Sequence, residues 1–265
     1  MAQPPVTQYI PQQVYEHIPF PTFEELRRAA HVWDQLAELH RLPYALVGSI
    51  VARLRGESLG HEFQYQIHTM EILVQPEALA NNAAILTALK DQHPEWLGIT
   101  PTNRHIVVIC QNTGKGIALQ FIPLGSVGYP NQFIPPYDSP FRTAAHLYLE
   151  PTYRHHCLGY LINERTVTCV PSKILLKQRL LYFNASGTGL ERRTQRDKND
   201  IKAFIKLTAQ DQDQRFQLPE LQFLNLKVLH WVIYVRNNSD NVTPDMWTEL
   251  ERLGFNTQWI RSLTG

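Results

Sequence analysis

The 265-residue chain has no surplus of charge of either sign, few cysteines and no long apolar run. Each scarcity excludes something. With 25 Lys and Arg against 24 Asp and Glu, the formal charge is +1. That lacks the basic excess of a protein that coats polyanions, so nucleic acid is not an expected partner. Three cysteines (Cys110, Cys157 and Cys169) are too few and too odd in number for a disulfide framework, and fit a reducing, cytoplasmic setting. No window approaches the roughly 18 consecutive apolar residues of a spanning helix, so no membrane segment is expected. The opening MAQPPVTQYIPQQ lacks the basic-then-apolar pattern of a secretory signal. Global disorder is excluded from the other side, because hydrophobic residues make up 43% and charged ones only 18%.

What is present alternates between helical and strand signals. Residues 1–21 are rich in Pro and Gln and read as an extended arm. Thr22-Phe23-Glu24-Glu25 is a capping box, and apolar residues from Leu26 to Leu39 keep helical spacing until Pro43. Tyr44 to Val47 is a short apolar strand, turned by Gly48-Ser49 into a second helix. Met70 to Val74 is another strand, followed by a helix over 77–91. His105–Cys110 and Ile117–Ile122 form a hairpin around the turn-forming Asn112–Gly116. Further strands are expected near 144–149 and across 158–170, with a turn at Asn163-Glu164-Arg165. Helices are expected over 172–183 and 194–207, then from Leu221 to Val235 and from Pro244, capped by Thr243, to Gly254. The order predicts an α+β fold, a mixed sheet core flanked by helices with a helical C-terminal region. Its expected units are the arm 1–21, a core domain 22–207, and a helical extension 208–265 packed on it.

One stretch carries chemistry. Leu46-Val47-Gly48-Ser49-Ile50-Val51-Ala52-Arg53 followed by Thr69-Met70-Glu71-Ile72-Leu73-Val74 resembles the opening of the nucleotidyltransferase superfamily. Pro171 to Leu180 and Arg196-Asp197-Lys198-Asn199-Asp200-Ile201 are similar to later segments of its minimal, abortive-infection-toxin branch. The resemblance spans about residues 22 to 207. It implies a Gly-Ser turn whose amides approach phosphates, and a second strand presenting Asp-x-Asp on one face. A third carboxylate from a later strand completes a site for two Mg²⁺ ions. It also implies a nucleotide-contacting role for Lys177.

Here the pattern departs from the family. The Asp-x-Asp positions fall on Thr69 and Glu71, and the third carboxylate position falls on Gln120. One anionic ligand cannot compensate two divalent ions, so no metal and no other cofactor is expected. Gly48 and Ser49 are either a plain strand-to-helix turn or a ligand contact, and Glu71 is either a retained site carboxylate or an edge residue. Lys177 and Asp200 form either a phosphate contact with its orienter or an interhelical ion pair, and the ion pair is favoured. The basic run from Arg192 to Lys206 is expected to be a solvated helix face. The proline-rich loop 123–141 carries Tyr129, Phe133 and Tyr137, which either pack on the core or form an apolar lid over the cleft.

The expected catalytic group is thus Glu71 with Ser49, Thr69 and Gln120, and the expected ligand contacts are Gly48, Arg53, Lys177, Tyr129, Phe133 and Tyr137. The favoured function is a nucleotidyltransferase-fold protein without its metals that binds a small apolar or aromatic molecule. Glu71 would serve metal-independent acid–base chemistry of isomerisation or cyclisation type. The alternatives are an active nucleotidyltransferase with a modified metal site and a non-catalytic interaction module. The pattern does not define an oligomeric state.

Overall fold

The computed structural model describes residues 16–17, 21–40, 42, 44–58, 60, 67, 69–74, 82–100, 106–110, 115–123, 158–162, 165–170, 172–183, 191–210, 215–238 and 240–265. Helix α1 (Phe23–Leu39) starts at the expected capping box. The Thr22 hydroxyl accepts from the Glu25 amide at 3.2 Å, and the Glu25 carboxylate accepts from the Thr22 amide at 2.7 Å. Such a cap stabilises a helix by about 1 kcal/mol. The buried stripe Leu26, Ala29, Ala30, Trp33, Leu36 and Ala37 then fixes which side of α1 meets the sheet.

That sheet is mixed and holds eight strands among the described residues: β1 (Glu16–His17), β2 (Tyr44–Val47), β3 (Thr69–Val74), β4 (Leu97–Ile99), β5 (Ile106–Cys110), β6 (Lys115–Pro123), β7 (Leu158–Ile162) and β8 (Arg165–Cys169). Their order is β4-β5-β6-β3-β2-β8-β7, with β1 also paired to β6. β3 runs parallel to β6 and antiparallel to β2. Trp33 packs its ring 5.2 Å from Phe121 of β6 and 6.2 Å from Tyr44 of β2, locking α1 across the centre.

The remaining helices are α2 (Ser49–Ser58), α3 (Asn82–Gln92), α4 (Ser172–Tyr182), α5 (Glu191–Gln210), α6 (Leu218–Asn237), α7 (Pro244–Arg252) and α8 (Thr257–Thr264). α4 and α5 pack together, α5 also contacts α2 and α7, and α6 lies on α4. Buried Ile201, Phe204 and Ile205 of α5 and Leu224, Val228, Trp231 and Val232 of α6 belong to the same core cluster as the sheet.

The fold class is therefore the expected α+β arrangement. Three elements were not anticipated, the first being β1, in which two residues of the expected arm pair with β6. β4 is only three residues long and contains Gly98, too little for a period-2 signal. α8 follows the positive-φ Gly254, where the chain was expected to end its last helix. Asn256 caps α8 by accepting from the Trp259 amide at 3.1 Å. Of the expected turn Asn112–Gly116, Lys115 and Gly116 belong to β6, and of the turn at 163–165, Arg165 belongs to β8; the rest of both turns, the strand expected near 144–149 and the start of the 77–91 helix lie outside the described residues.

Candidate functional site

The chain leaves β2 at Val47 and enters α2 at Ser49, so Gly48 must turn it within one residue. Gly48 has φ +73°, and a Cβ there would lie 1.7 Å from Glu71 Oε2. Glycine is required for the backbone angle, and any Cβ would also make the Glu71 carboxylate shift. Ser49 is buried and is the first residue of α2, not a cap outside it. Its hydroxyl donates to Asp200 Oδ2 of α5 at 2.8 Å.

Register places the strand residues. Glu71 stands level with Gln120 of β6 on one side and with Val47 of β2 on the other, and Thr69 is level with Ala118. Side chains alternate along a strand, so Thr69 and Glu71 share one face and Ile72 the other. Ile72 is level with Phe121, which meets Trp33 of α1. Thr69, Glu71 and Gln120 thus lie on the face turned away from α1, with Gln120 exposed.

Two residues from the helical half complete the cluster. Arg179 of α4 places Nη2 2.9 Å from Asp200 Oδ2 and 3.8 Å from Glu71 Oε2. Asp200 is fully buried. Its carboxylate takes hydrogens from Arg179 and Ser49 and lies against the first turn of α2, where helix amides favour negative charge. One guanidinium therefore stands between two carboxylates, and the three side chains carry a net charge of about −1 in their usual ionised forms.

The structure brings together Gly48, Ser49, Glu71, Thr69 and Gln120 of the sequence-derived set. It does not bring Lys177 or Arg53 to them. Lys177 donates to Glu220 of α6 at 2.6 Å. Burial pushes the Glu220 carboxyl up, but the bonds from Lys177 and the Gln217 amide outweigh it and leave the group lowered. Arg53 lies over the Phe23 ring, 5.9 Å from its centroid, at the contact of α1 and α2. Tyr129, Phe133 and Tyr137 lie outside the described residues. Among the described residues, the favoured ion pair of Lys177 with Asp200 is not formed: Lys177 pairs with Glu220, and Asp200 with Arg179. Sequence reasoning missed Arg179, although its spacing carried a signal. Two residues along a helix turn the side chain by about 200°, so if Lys177 faces α6 then Arg179 faces away from it.

The basic run is also not wholly a solvated face. Lys198 is buried, and Lys198 and Lys202 reach Asp240 at 3.1 and 2.5 Å. Among the described residues, no three His, Cys, Asp or Glu side chains converge as a metal-holding group. None of the described helices is long and apolar enough to cross a membrane.

A mixed sheet with a Gly-Ser turn and a polar cluster beside it is the arrangement of a nucleotidyltransferase-like fold, and one solved structure shares it. The chain is similar to an antigenic nucleotidyltransferase-like protein from Paracoccidioides brasiliensis, with 16% identity and a TM-score of 0.54. That match covers 89% of this chain and 95% of the other. A weaker likeness is to the antibiotic-resistance factor ANT(2'')-Ia, with 9% identity, a TM-score of 0.40, and 82% and 98% of the two chains covered. No protein-family model matches the chain, and no curated protein does.

Proposed function

We propose that the cleft at Gly48-Ser49 works without the two-metal centre of nucleotidyltransferases and binds a small molecule, with Glu71 as its acid–base group. The observation that carries this is Arg179, whose guanidinium lies 3.8 Å from Glu71 and 2.9 Å from Asp200. The donors do not fit a pair of Mg²⁺ ions. Such ions need several anionic oxygens, and of Thr69, Glu71 and Gln120 only Glu71 supplies one. A permanent cation beside Glu71 further disfavours a divalent ion at the same oxygen. The turn is committed as well, because the Ser49 hydroxyl donates its hydrogen bond to the Asp200 carboxylate.

The reaction class these groups support is metal-independent proton transfer, as in an isomerisation or cyclisation, with the partly buried Glu71 beside the Gly48 turn as the proton carrier. The apolar character of the ligand rests on the segment carrying Tyr129, Phe133 and Tyr137, which follows β6, the strand of Gln120. Thermal-shift titration with ATP, GTP, CTP and UTP, each with and without Mg²⁺, is expected to give no Mg²⁺-dependent stabilisation. A Mg²⁺-dependent shift would support the active nucleotidyltransferase instead. Glu71→Gln is expected to abolish turnover of any substrate found while leaving the melting temperature within a few degrees. Unchanged turnover would remove Glu71 from its role.

A further inference from the structure

The C-terminal helices leave an apolar face with a defined pattern. Among the described residues, seven large hydrophobic side chains are exposed, and six of them lie on α6 or α8. On α6, Phe223 (49% exposed), Leu226 (42%) and Ile233 (39%) form one stripe, and His230, also exposed, fills its remaining position. The spacing 223, 226, 230, 233 alternates three and four, the seam of a two-helix coil.

α8 extends this face. It runs alongside α6, tied at one end by the Asn256 amide to Asn225 Oδ1 at 2.9 Å. At the other end Arg236 donates to the Thr264 and Gly265 carbonyls. Arg261 turns towards α7 and stacks on Trp247 at 4.8 Å. Trp259 (38% exposed) and Leu263 (55%) lie about 160–200° round the helix from Arg261, away from α7.

We infer that this face is a homodimer interface, in which α6 packs antiparallel on α6 of a second copy about a two-fold axis level with Val228. The stripe matches its own reverse. Antiparallel pairing sets Phe223 level with Ile233 of the second copy and Leu226 level with His230, and the same pairs recur on the other side of the axis. Of the four seam positions only that of His230 is polar, and none carries Asp, Glu, Lys or Arg. The five apolar side chains expose about 450 Å² per copy, within the range of a monomer's largest patch, which is often functional. Covered on two copies and completed by a polar rim, this reaches the roughly 1,200 Å² at which specific interfaces begin.

The full-length chain is tested by sedimentation velocity up to about 100 µM, where a contact of this size is populated. A dimer is expected. Phe223→Glu and Ile233→Lys, both at exposed positions, are each expected to sediment as monomers with unchanged circular dichroism and melting profiles. An equimolar mixture of the two is expected to regain the dimer, because Glu at 223 then meets Lys at 233 across the axis. A wild-type monomer, single variants that remain dimers, or a mixture that stays monomeric would each overturn the inference.

Discussion

Gly48 concentrates the constraints of the site in one residue. It combines a left-handed backbone with a carboxylate where a Cβ would be, whereas Gly60 has a similar φ of +74° and a Cβ there would meet none of the described residues within 4 Å. The pair separates two costs. Gly60→Ala is expected to lose about 1–2 kcal/mol, the left-handed penalty alone. Gly48→Ala is expected to lose somewhat more in urea unfolding, because the Glu71 carboxylate must also swing aside from Arg179. Equal losses would mean that Glu71 swings aside freely and is not held against the turn. Sequence pattern singled out Gly48, Ser49 and Glu71, since a strand, a tight turn and an alternating strand are local. It could not assign Asp200 to Ser49, because that bond joins residues 151 positions apart.

At the scale of elements, ion pairs hold the C-terminal helices to the core. Lys177 joins α4 to Glu220 of α6, while Lys198 and Lys202 join α5 to Asp240, which precedes α7. Burial pushes the Asp240 carboxyl up, but hydrogen bonds from Lys202 and Lys198 outweigh it and bring the group from 3.8 down to about 2. A carboxyl lowered on folding adds stability above its unfolded value, and that stability is lost as pH falls through the folded one. Asp240→Asn is therefore expected to cost about 1 kcal/mol near neutral pH, the scale of a partly exposed pair. The difference from wild type should shrink from about pH 4 and vanish near pH 2 in acid-unfolding curves. A difference constant across that range would show that Asp240 acts through packing. The start and buried face of α1 were legible because its cap and stripe are local signals, while the helix ends at Leu39, short of Pro43. The role of α5 was not, because a Lys-rich surface looks the same in sequence whether it meets water or an aspartate.

For the whole molecule, the helical region 208–265 is proposed to be part of the cooperative unit and not a detachable appendix. α6 buries Leu224, Val228, Trp231 and Val232 in the cluster that includes α5. Each such side chain contributes about 1.5–3 kcal/mol on burial, so their sum rivals the roughly 5–15 kcal/mol net stability of a domain. A fragment ending at residue 207 is expected to bind a hydrophobic dye and lose its cooperative thermal transition. A fragment that melts cooperatively with native circular dichroism would establish 22–207 as an independent domain.

What depends on neighbours along the chain is legible in the sequence: the α+β order, the capped helices and the Gly48-Ser49 turn. Only the tertiary structure decided which charges meet. Arg179, Asp200, Glu71 and Ser49 come from two helices, a strand and a turn. Their pairing depends on how α4 and α5 settle against the sheet, and close packing over long sequence separations leaves no periodic trace in the chain.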